Sequence, residues 1–325
     1  MPPSETSTDP HGIFAADALE WLAPDHRLNA FHPVEGGNGA GVVANQLLAP
    51  LAAALPGFEV RADIAMRGIF RGGLWTATSG HLFGRFLAPL FGIPPTGRIA
   101  HVRFGCFQNW QDGKAIETIV LIDLPALMMQ AGAWPLGPPL GPLLMAPGPI
   151  GGGIWPTATD ESGASLALES AASLALVEAM IGGLMRFDGQ GLATMGMTAY
   201  WRDDFWWFGP GPIGSFRGHA DYERGHQLPF LTAFPDRVGG NHRARFGDGH
   251  FVASTGWPSI TATHRGGGWL GLAPTDRAIT MRVMDFWRRD GDRLAENWVM
   301  IDISELLSQM GIDLFARMAA LNDRS

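Results

Sequence analysis

Apolar and polar residues follow two different periods along this chain, and together they predict a mixture of helices and strands. Between 166 and 185, apolar residues recur at helical spacing, which predicts a long amphipathic helix. Shorter runs rich in β-branched and aromatic residues follow and predict strands over 242–246, 250–255, 259–264, 278–288 and 294–301. Tight turns at 247–249 and 289–292 are typical of antiparallel hairpins. The pattern predicts an α+β domain with a curved antiparallel sheet.

A terminal helix is predicted to close this domain over 304–310. Asp302 precedes it at the position of a helix cap, and Glu305 stands three residues later as the second half of a capping box. Asp123 is read in the same way, as the cap of a helix in the first half of the chain.

The chain contains an internal repeat at a constant offset of 179. Between 92 and 132, 13 of 41 positions are identical to their counterparts in 271–311, which indicates two copies of one domain. Upstream of this block, an offset of 183 pairs His81 with His264. We place the first domain at 13–134 and the second at 160–320. Residues 135–159 are rich in proline and glycine and predict a semi-extended linker that lies against the protein.

Composition narrows the classes of function. The 325 residues are 46% hydrophobic and carry a formal charge of −8, which argues against nucleic acid or an anionic membrane as partner. Cys106 is the single cysteine, so neither an internal disulfide nor a CxxC zinc module forms. The first twelve residues lack a signal-peptide pattern, and the apolar runs are too short and interrupted to span a bilayer. We therefore expect a cytoplasmic protein.

Both copies carry a sequence of motifs that resembles the SnoaL-like polyketide cyclase family. A histidine, a Gly-x-x-Pro-Thr-x-Arg turn, an aromatic strand and an Asp-capped helix follow one another in this order. The turns are 92–98 and 271–277, and the second copy adds Asp285-Phe286 and Glu296-Asn297-Trp298. The resemblance implies two tandem nuclear transport factor 2-like cones, each a curved sheet closed by helices around an apolar pocket. It also implies aldol-type ring closure, in which an aspartate moves a proton next to a carbonyl.

Asp285 is the residue on which the resemblance places that catalytic aspartate. Alternation along its strand puts Asp285 on one face with Met281, Val283 and Trp287. A carboxylate in an apolar row is expected to have a raised pKa, in the range useful to a general acid or base. The first copy has Cys106 at this position, so we expect its pocket to be degenerate.

Two further residues are candidates for catalysis. Glu296 shares a strand face with apolar residues, but Glu117 repeats it in the first copy, which favours a structural pairing with Arg282 and, for Glu117, with Arg103. His264 is a candidate to polarise a carbonyl or to hold Asp285, although a structural role fits equally well.

Tryptophans are concentrated in the second copy, which favours a flat or polycyclic hydrophobic ligand there. We expect the substrate-binding residues to be Trp206, Trp207, Trp257, Trp269, Trp287, Trp298 and His242. The glycine runs 151–153 and 266–268 lack the Lys and Ser/Thr of a phosphate loop, and the histidines lack metal-ligand spacing. We therefore expect no cofactor and no metal.

The two copies are expected to pack through their sheets as a pseudo-dimer within one monomer. Two functions stay open: an acid–base cyclase or isomerase working in the second pocket, or a non-catalytic carrier or sensor of a small hydrophobic molecule. A third reading, epoxide opening, rests on Arg61-Ala62-Asp63, but the second copy has Arg243-Ala244-Arg245 instead.

Overall fold

The computed structural model describes residues 9–149, 163–189 and 192–322, which divide into two compact units. The first unit contains the described residues up to 135 together with 147–149 and 313–322. The second contains 136–146 and the described residues between 163 and 312. Each unit holds one six-stranded sheet with helices, which confirms the predicted α+β class and the two similar domains.

The sheet of the first unit has the strand order β2-β1-β6-β5-β4-β3. Its strands are β1 (Leu22–Ala30), β2 (Gly36–Asn38), β3 (Glu59–Phe70), β4 (Gly73–Arg85), β5 (Ile99–Gln111) and β6 (Lys114–Ile122). Its helices are α1 (Ala40–Val42), α2 (Ala49–Ala54) and α3 (Leu124–Gln130), with a π-helical segment Val43–Leu48 between the first two. Short 3-10 turns at Gly12–Phe14 and Ala18–Trp21 precede β1.

The second unit repeats this order as β8-β7-β12-β11-β10-β9. Its strands are β7 (Trp201–Phe208), β8 (Ser215–Arg217), β9 (Ala244–Asp248), β10 (Phe251–Thr263), β11 (Ala278–Asp290) and β12 (Arg293–Ile301). Its helices are α4 (Gly163–Leu184), α5 (Gly218–Tyr222), π-helical Glu223–Gln227, α6 (Leu228–Ala233) and α7 (Ile303–Gln309), with 3-10 turns at Leu192–Met195, Met197–Ala199 and Trp269–Gly271. A last helix, α8 (Leu314–Asn322), belongs to the first unit.

Each sheet is mixed: the predicted antiparallel arrangement is correct for all neighbouring strands except one parallel pair. β1 runs parallel to β6, and β7 runs parallel to β12, while the other neighbours are antiparallel. Turn residues report only on strands joined by a short loop. The first strand of each unit meets the last one across the whole domain, and no local signal records that pairing.

One predicted strand boundary is also wrong, because 250–255 and 259–264 belong to one strand, β10. Its register against β11 shifts between Gly256 and Ile260. Pro258 lies in this interval and has no N–H to donate to the ladder, which explains why the sequence suggests two runs.

Strand register confirms the internal repeat. Cys106 lies opposite Val120 in the first sheet, and Asp285 lies opposite Val299 in the second. The same offset of 179 relates Cys106 to Asp285 and Val120 to Val299. The positions of Cys106 and Asp285 are therefore structurally equivalent, as the sequence indicates.

The upstream pairing of His81 with His264 is wrong. His264 N donates to Arg277 O at 3.0 Å, whereas in the first unit Phe86 N donates to Arg98 O at 2.9 Å. His264 is therefore the counterpart of Phe86, and His81 lies further back along β4. The irregularity in β10 lengthens the second copy, so the offset of 183 does not align the upstream parts of the two copies.

Both predicted helix caps are present. Asp123 Oδ1 accepts a hydrogen bond from Ala126 N at 3.0 Å, and Asp302 Oδ1 accepts one from Glu305 N at 3.2 Å. The Glu305 carboxylate accepts from Gln309 Nε2 at 2.7 Å, and Asp302 N donates to Arg282 O at 3.0 Å. The second half of the capping box stays a prediction.

The predicted long helix is present as α4, and its inner side packs on the second sheet. Val177 and Met180 are buried, and Glu169 pairs with Arg289 of β11. By length and composition alone, α4 is also apolar enough to cross a bilayer. The expectation that the chain does not cross a membrane stays a prediction.

The described part of the predicted linker, residues 135–149, contains neither helix nor strand and follows the protein surface. Leu140 N donates to Pro212 O at 3.1 Å, and Ser215 N donates to Pro142 O at 2.9 Å. The glycine run 151–153 and the rest of the linker lie outside the described residues. The domain boundaries at 134 and 160 stay predictions.

Candidate functional site

A cavity of about 160 Å³ lies in the second unit. It lies between α4, the helical segments between 218 and 233, and one face of the sheet formed by β7 and β9–β12. Most of its wall is apolar, built from methionine, leucine, isoleucine, valine and tryptophan side chains. The polar members of the lining are Tyr222, His226, Gln227, Arg237, Arg245, Ser254, Ser259, Asp285 and Asn297. Its volume is close to the roughly 150 Å³ of an engineered cavity that holds one benzene ring.

Asp285 lies in this lining, on the face that alternation predicts. Met281, Val283 and Trp287 line the same cavity, because residues two apart on a strand point to one side of the sheet. Asn297, on the neighbouring strand β12, donates from Nδ2 to Asp285 Oδ1 at 3.3 Å. The same amide nitrogen also donates to Phe286 O at 3.1 Å, which fixes its orientation.

Two other groups interact electrostatically with Asp285. Arg245 is buried, and its Nε donates to Ser254 Oγ at 3.2 Å. Burial lowers the pKa of Arg245, and the negative charges of Glu178 and Asp285 oppose that shift. For Tyr222, burial raises the pKa well above its ordinary value, and the charge of Asp285 raises it further. The Tyr222 phenol is therefore a neutral hydroxyl at physiological pH.

Only two of the seven predicted substrate-binding residues line the cavity, namely Trp207 and Trp287. The others contact protein groups elsewhere. Trp206 and Trp298 both stack on Phe208, with ring centroids 5.7 and 5.6 Å away. They alternate with the cavity-facing Trp207 and Asn297, so their side chains point to the opposite face of the sheet.

The remaining three of the seven also lie outside the cavity lining. Trp257 packs under the Arg282 guanidinium at 4.8 Å, and Trp269 is buried against Phe234. His242 Nδ1 lies 3.0 Å from Gly240 O.

Glu296 is placed in an ion pair and not in the cavity. Its carboxylate accepts from Arg288 Nε, on the adjacent strand β11. The predicted partner was Arg282, which instead pairs with Asp302 at 3.3 Å. This geometry supports the structural role of Glu296 and corrects its partner.

His264 lies near the far end of β10 and is also outside the cavity lining. Its Nδ1 is 3.1 Å from Thr275 Oγ1, and its ring lies beside Phe234 at 5.5 Å. Burial lowers the pKa of His264. Since Asp285 pairs with Ser254 at the other end of β10, the hypothesis that His264 holds Asp285 is not supported.

In the first unit the sheet face that carries Cys106 has other side chains at the matching positions: Thr118 stands where the second unit has Asn297, and Gln108 stands where it has Trp287. The 3-10 turn Gly12–Phe14 lies on the equivalent face of its sheet: a Cβ at Gly12 would stand 3.4 Å from Cys106 Sγ. Ile13 is fully buried, and the Phe14 ring packs edge-on against Phe104 at 4.7 Å. Burial raises the pKa of Cys106 to about 12, so its thiol is neutral. Apolar residues from the start of the chain therefore occupy this side of the first sheet.

Most of the polar cavity residues were not predicted from the sequence. Tyr222, His226 and Gln227 lie on helical segments between 218 and 233 that the hydrophobic pattern did not predict. In the sequence, Arg245 stands out only through Arg243-Ala244-Arg245, which lacks the aspartate of the epoxide-opening motif, and Asn297 only as part of Glu296-Asn297-Trp298. One signal was available: with the offset of 179, Tyr222, His226 and Gln227 replace the apolar residues Val43, Leu47 and Leu48.

Comparison with models of known protein families finds a match, and it falls in the second unit. Residues 195–310 match the model of the SnoaL-like polyketide cyclase family, so the C-terminal half of the chain carries a domain of this family. No curated protein is significantly similar to the chain.

Several solved structures are similar to part of the chain. A SnoaL-like protein from Jannaschia sp. CCS1 is 24% identical, over 35% of this chain and 75% of its own, with a TM-score of 0.30. Wild-type IdmH from Streptomyces antibioticus is 23% identical, over 42% and 99%, with a TM-score of 0.32. An NTF2-like protein from Burkholderia xenovorans LB400 is 18% identical, over 43% and 97%, with a TM-score of 0.33.

Proposed function

We propose that the second domain is a cofactor-independent acid–base enzyme of the cyclase or isomerase type, with Asp285 as the group that moves the proton. Its substrate is a small hydrophobic carbonyl compound. The observation that carries this proposal is the position of Asp285 in the wall of an apolar cavity, hydrogen-bonded to Asn297.

The surroundings of Asp285 suit a general base. Arg245 and the Asn297 amide stabilise the ionised carboxylate, while the apolar side chains around it keep bulk water away. An ionised carboxylate can remove a proton from the carbon next to a carbonyl. The resulting enolate attacks a second carbonyl of the same molecule and forms the new carbon–carbon bond. The protonated Asp285 then returns its proton to the alkoxide, so the enzyme ends unchanged.

Hydrogen-bond donors in the cavity stabilise the negative charge that develops on the substrate oxygen during the reaction. Arg245, the neutral Tyr222 hydroxyl and the Trp287 indole N–H all belong to the lining. Such preorganised donors stabilise an enolate or alkoxide more than the neutral ketone, which is what lowers the barrier.

The experiment follows exchange of the acidic C–H protons of 1-phenylbutane-1,3-dione in D₂O by NMR. This probe has one aromatic ring, in keeping with the cavity volume, and it tests proton removal without knowledge of the natural substrate. Asp285→Asn should lower the catalysed exchange by about 10²-fold or more, because the amide keeps the shape but cannot accept the proton. Binding of the probe should stay within about tenfold.

Cys106→Ser is the matched control, because it changes the equivalent position of the first domain. It should leave exchange nearly intact. Equal losses in the two variants would contradict the assignment of the second domain as the working half. If the wild type binds the probe but catalyses no exchange above the Asp285→Asn variant, the alternative function, a carrier of small hydrophobic molecules, is supported instead.

A further inference from the structure

Three buried polar side chains in the cavity wall have polar atoms without a hydrogen-bond partner in the described part of the protein. These atoms are Gln227 Nε2 and Oε1, Trp287 Nε1 and His226 Nδ1. The residues are only 4%, 4% and 9% exposed. A buried amide that makes no hydrogen bond is costly, and native proteins rarely keep one without a purpose. All three residues line one cavity, so a ligand that enters it can satisfy them together.

The position of the carboxamide is set by its neighbours. Gln227 is the last residue of the π-helical segment Glu223–Gln227, and the first domain has a π-helical segment at the matching place, Val43–Leu48, so the backbone that carries this residue is a feature of the fold. His226, next to it, is held between aromatic rings: it stacks on Trp207 at 4.2 Å and faces Phe230 at 5.5 Å. Burial lowers the pKa of His226 to about 3, so the imidazole is neutral. The imidazole therefore brings no charge that would compete with a neutral ligand group.

The equivalent segment of the first domain lacks this chemistry. Pro50 and Pro229 are related by the same offset of 179 and start α2 and α6 in the same way, which aligns the two helical segments. On this alignment Leu48 stands at the position of Gln227, and the fully buried Leu47 stands at the position of His226. A helix that only needs to cover the sheet uses leucine there, so the polar pair serves something other than folding.

We propose that Gln227 is a specificity-determining residue, whose side-chain amide binds a neutral ligand group that presents one hydrogen-bond acceptor and one donor side by side. The amide nitrogen donates to the acceptor, and the amide oxygen accepts from the donor. Trp287 supplies a further N–H for an acceptor. The inference deepens the proposed function, because it names the polar group that the substrate carries beside the reacting carbonyl, and it applies equally to a carrier.

The test uses three probes of nearly the same shape. Benzamide has a donor and an acceptor, acetophenone has only the acceptor, and α-methylstyrene has neither. The wild type should bind benzamide at least about tenfold more tightly than α-methylstyrene, with acetophenone between them, as measured by calorimetry. Gln227→Met, which keeps the length of the side chain, should bind benzamide and acetophenone within about threefold of each other, because the Trp287 N–H still donates to the acceptor that both probes carry.

A second readout separates ligand binding from a structural role. Because the buried amide is unpartnered, Gln227→Met should raise the melting temperature of the ligand-free protein. The matched control is Gln108→Met, which removes a buried amide of the first domain that donates to Thr118 Oγ1 at 3.4 Å. This control should lower the melting temperature and leave the order of the three probes unchanged.

The inference is overturned if Gln227→Met retains the preference for benzamide, or if it lowers the melting temperature as the control does, since the amide would then bind only protein or water. These results are independent of proton transfer. Asp285→Asn should keep the order of the probes, so its effect on exchange can fail or succeed separately.

Discussion

The turn Gly12–Phe14 offers the sharpest test of how the first domain differs from the second. Phe14 is 5% exposed and packs on Phe104, on the sheet face that forms the cavity wall in the other unit. Replacing Phe14 by alanine removes a nearly fully buried ring and its edge-on contact. Substitutions of this kind cost about 3–5 kcal/mol. If opening of the turn exposes Cys106, its rate of labelling should rise by about 100-fold or more, since 1.4 kcal/mol corresponds to tenfold.

The assay uses the single cysteine as a reporter. Cys106 is 2% exposed, so labelling by a chromogenic disulfide reagent is slow until the turn opens. Urea denaturation followed by circular dichroism gives the loss of stability. Leu19→Ala, which changes a side chain that is 39% exposed, is the control and should alter both measurements little. A Phe14→Ala variant that loses less than about 1 kcal/mol and keeps Cys106 protected would refute this account of the first domain.

Two further predictions concern pH and the terminal helix. Burial lowers the pKa of His226 to about 3, so the folded state favours its neutral form. As pH falls from about 6.5 towards 3, the unfolded chain takes up a proton at this histidine and the folded one does not, so the free energy of unfolding decreases. Urea midpoints measured across this range should fall less steeply in His226→Phe than in the wild type or in a His250→Phe control, and parallel curves would contradict the assignment. Removing residues 313–325 should lower the melting temperature of the first unit, because Leu314 and Met318 are buried in it, and each such side chain contributes about 2–5 kcal/mol. Unchanged unfolding of the truncated protein would show that α8 is dispensable.

The sequence by itself determined the features that depend on local order. The identities at an offset of 179 predicted two like domains, and strand register agrees at Cys106 and Asp285. The caps Asp123 and Asp302 were readable because a cap bonds a backbone N–H only three residues away. The orientation of Asp285 followed from a period of two residues, which every strand obeys.

Tertiary structure alone decided which of these residues share a site. Gln227 and Asp285 line one cavity because the π-helical segment Glu223–Gln227 and β11 fold together, and no short-range pattern encodes that approach. Four of the six predicted tryptophans lie outside the cavity lining for the same reason. Composition counts aromatic residues but does not tell which face of a sheet they occupy. The parallel pairing of first and last strands, and the turn Gly12–Phe14 beside Cys106, are also contacts between distant parts of the chain. Their free energy comes from burying surface after the whole domain has closed, so it leaves little trace in the local sequence.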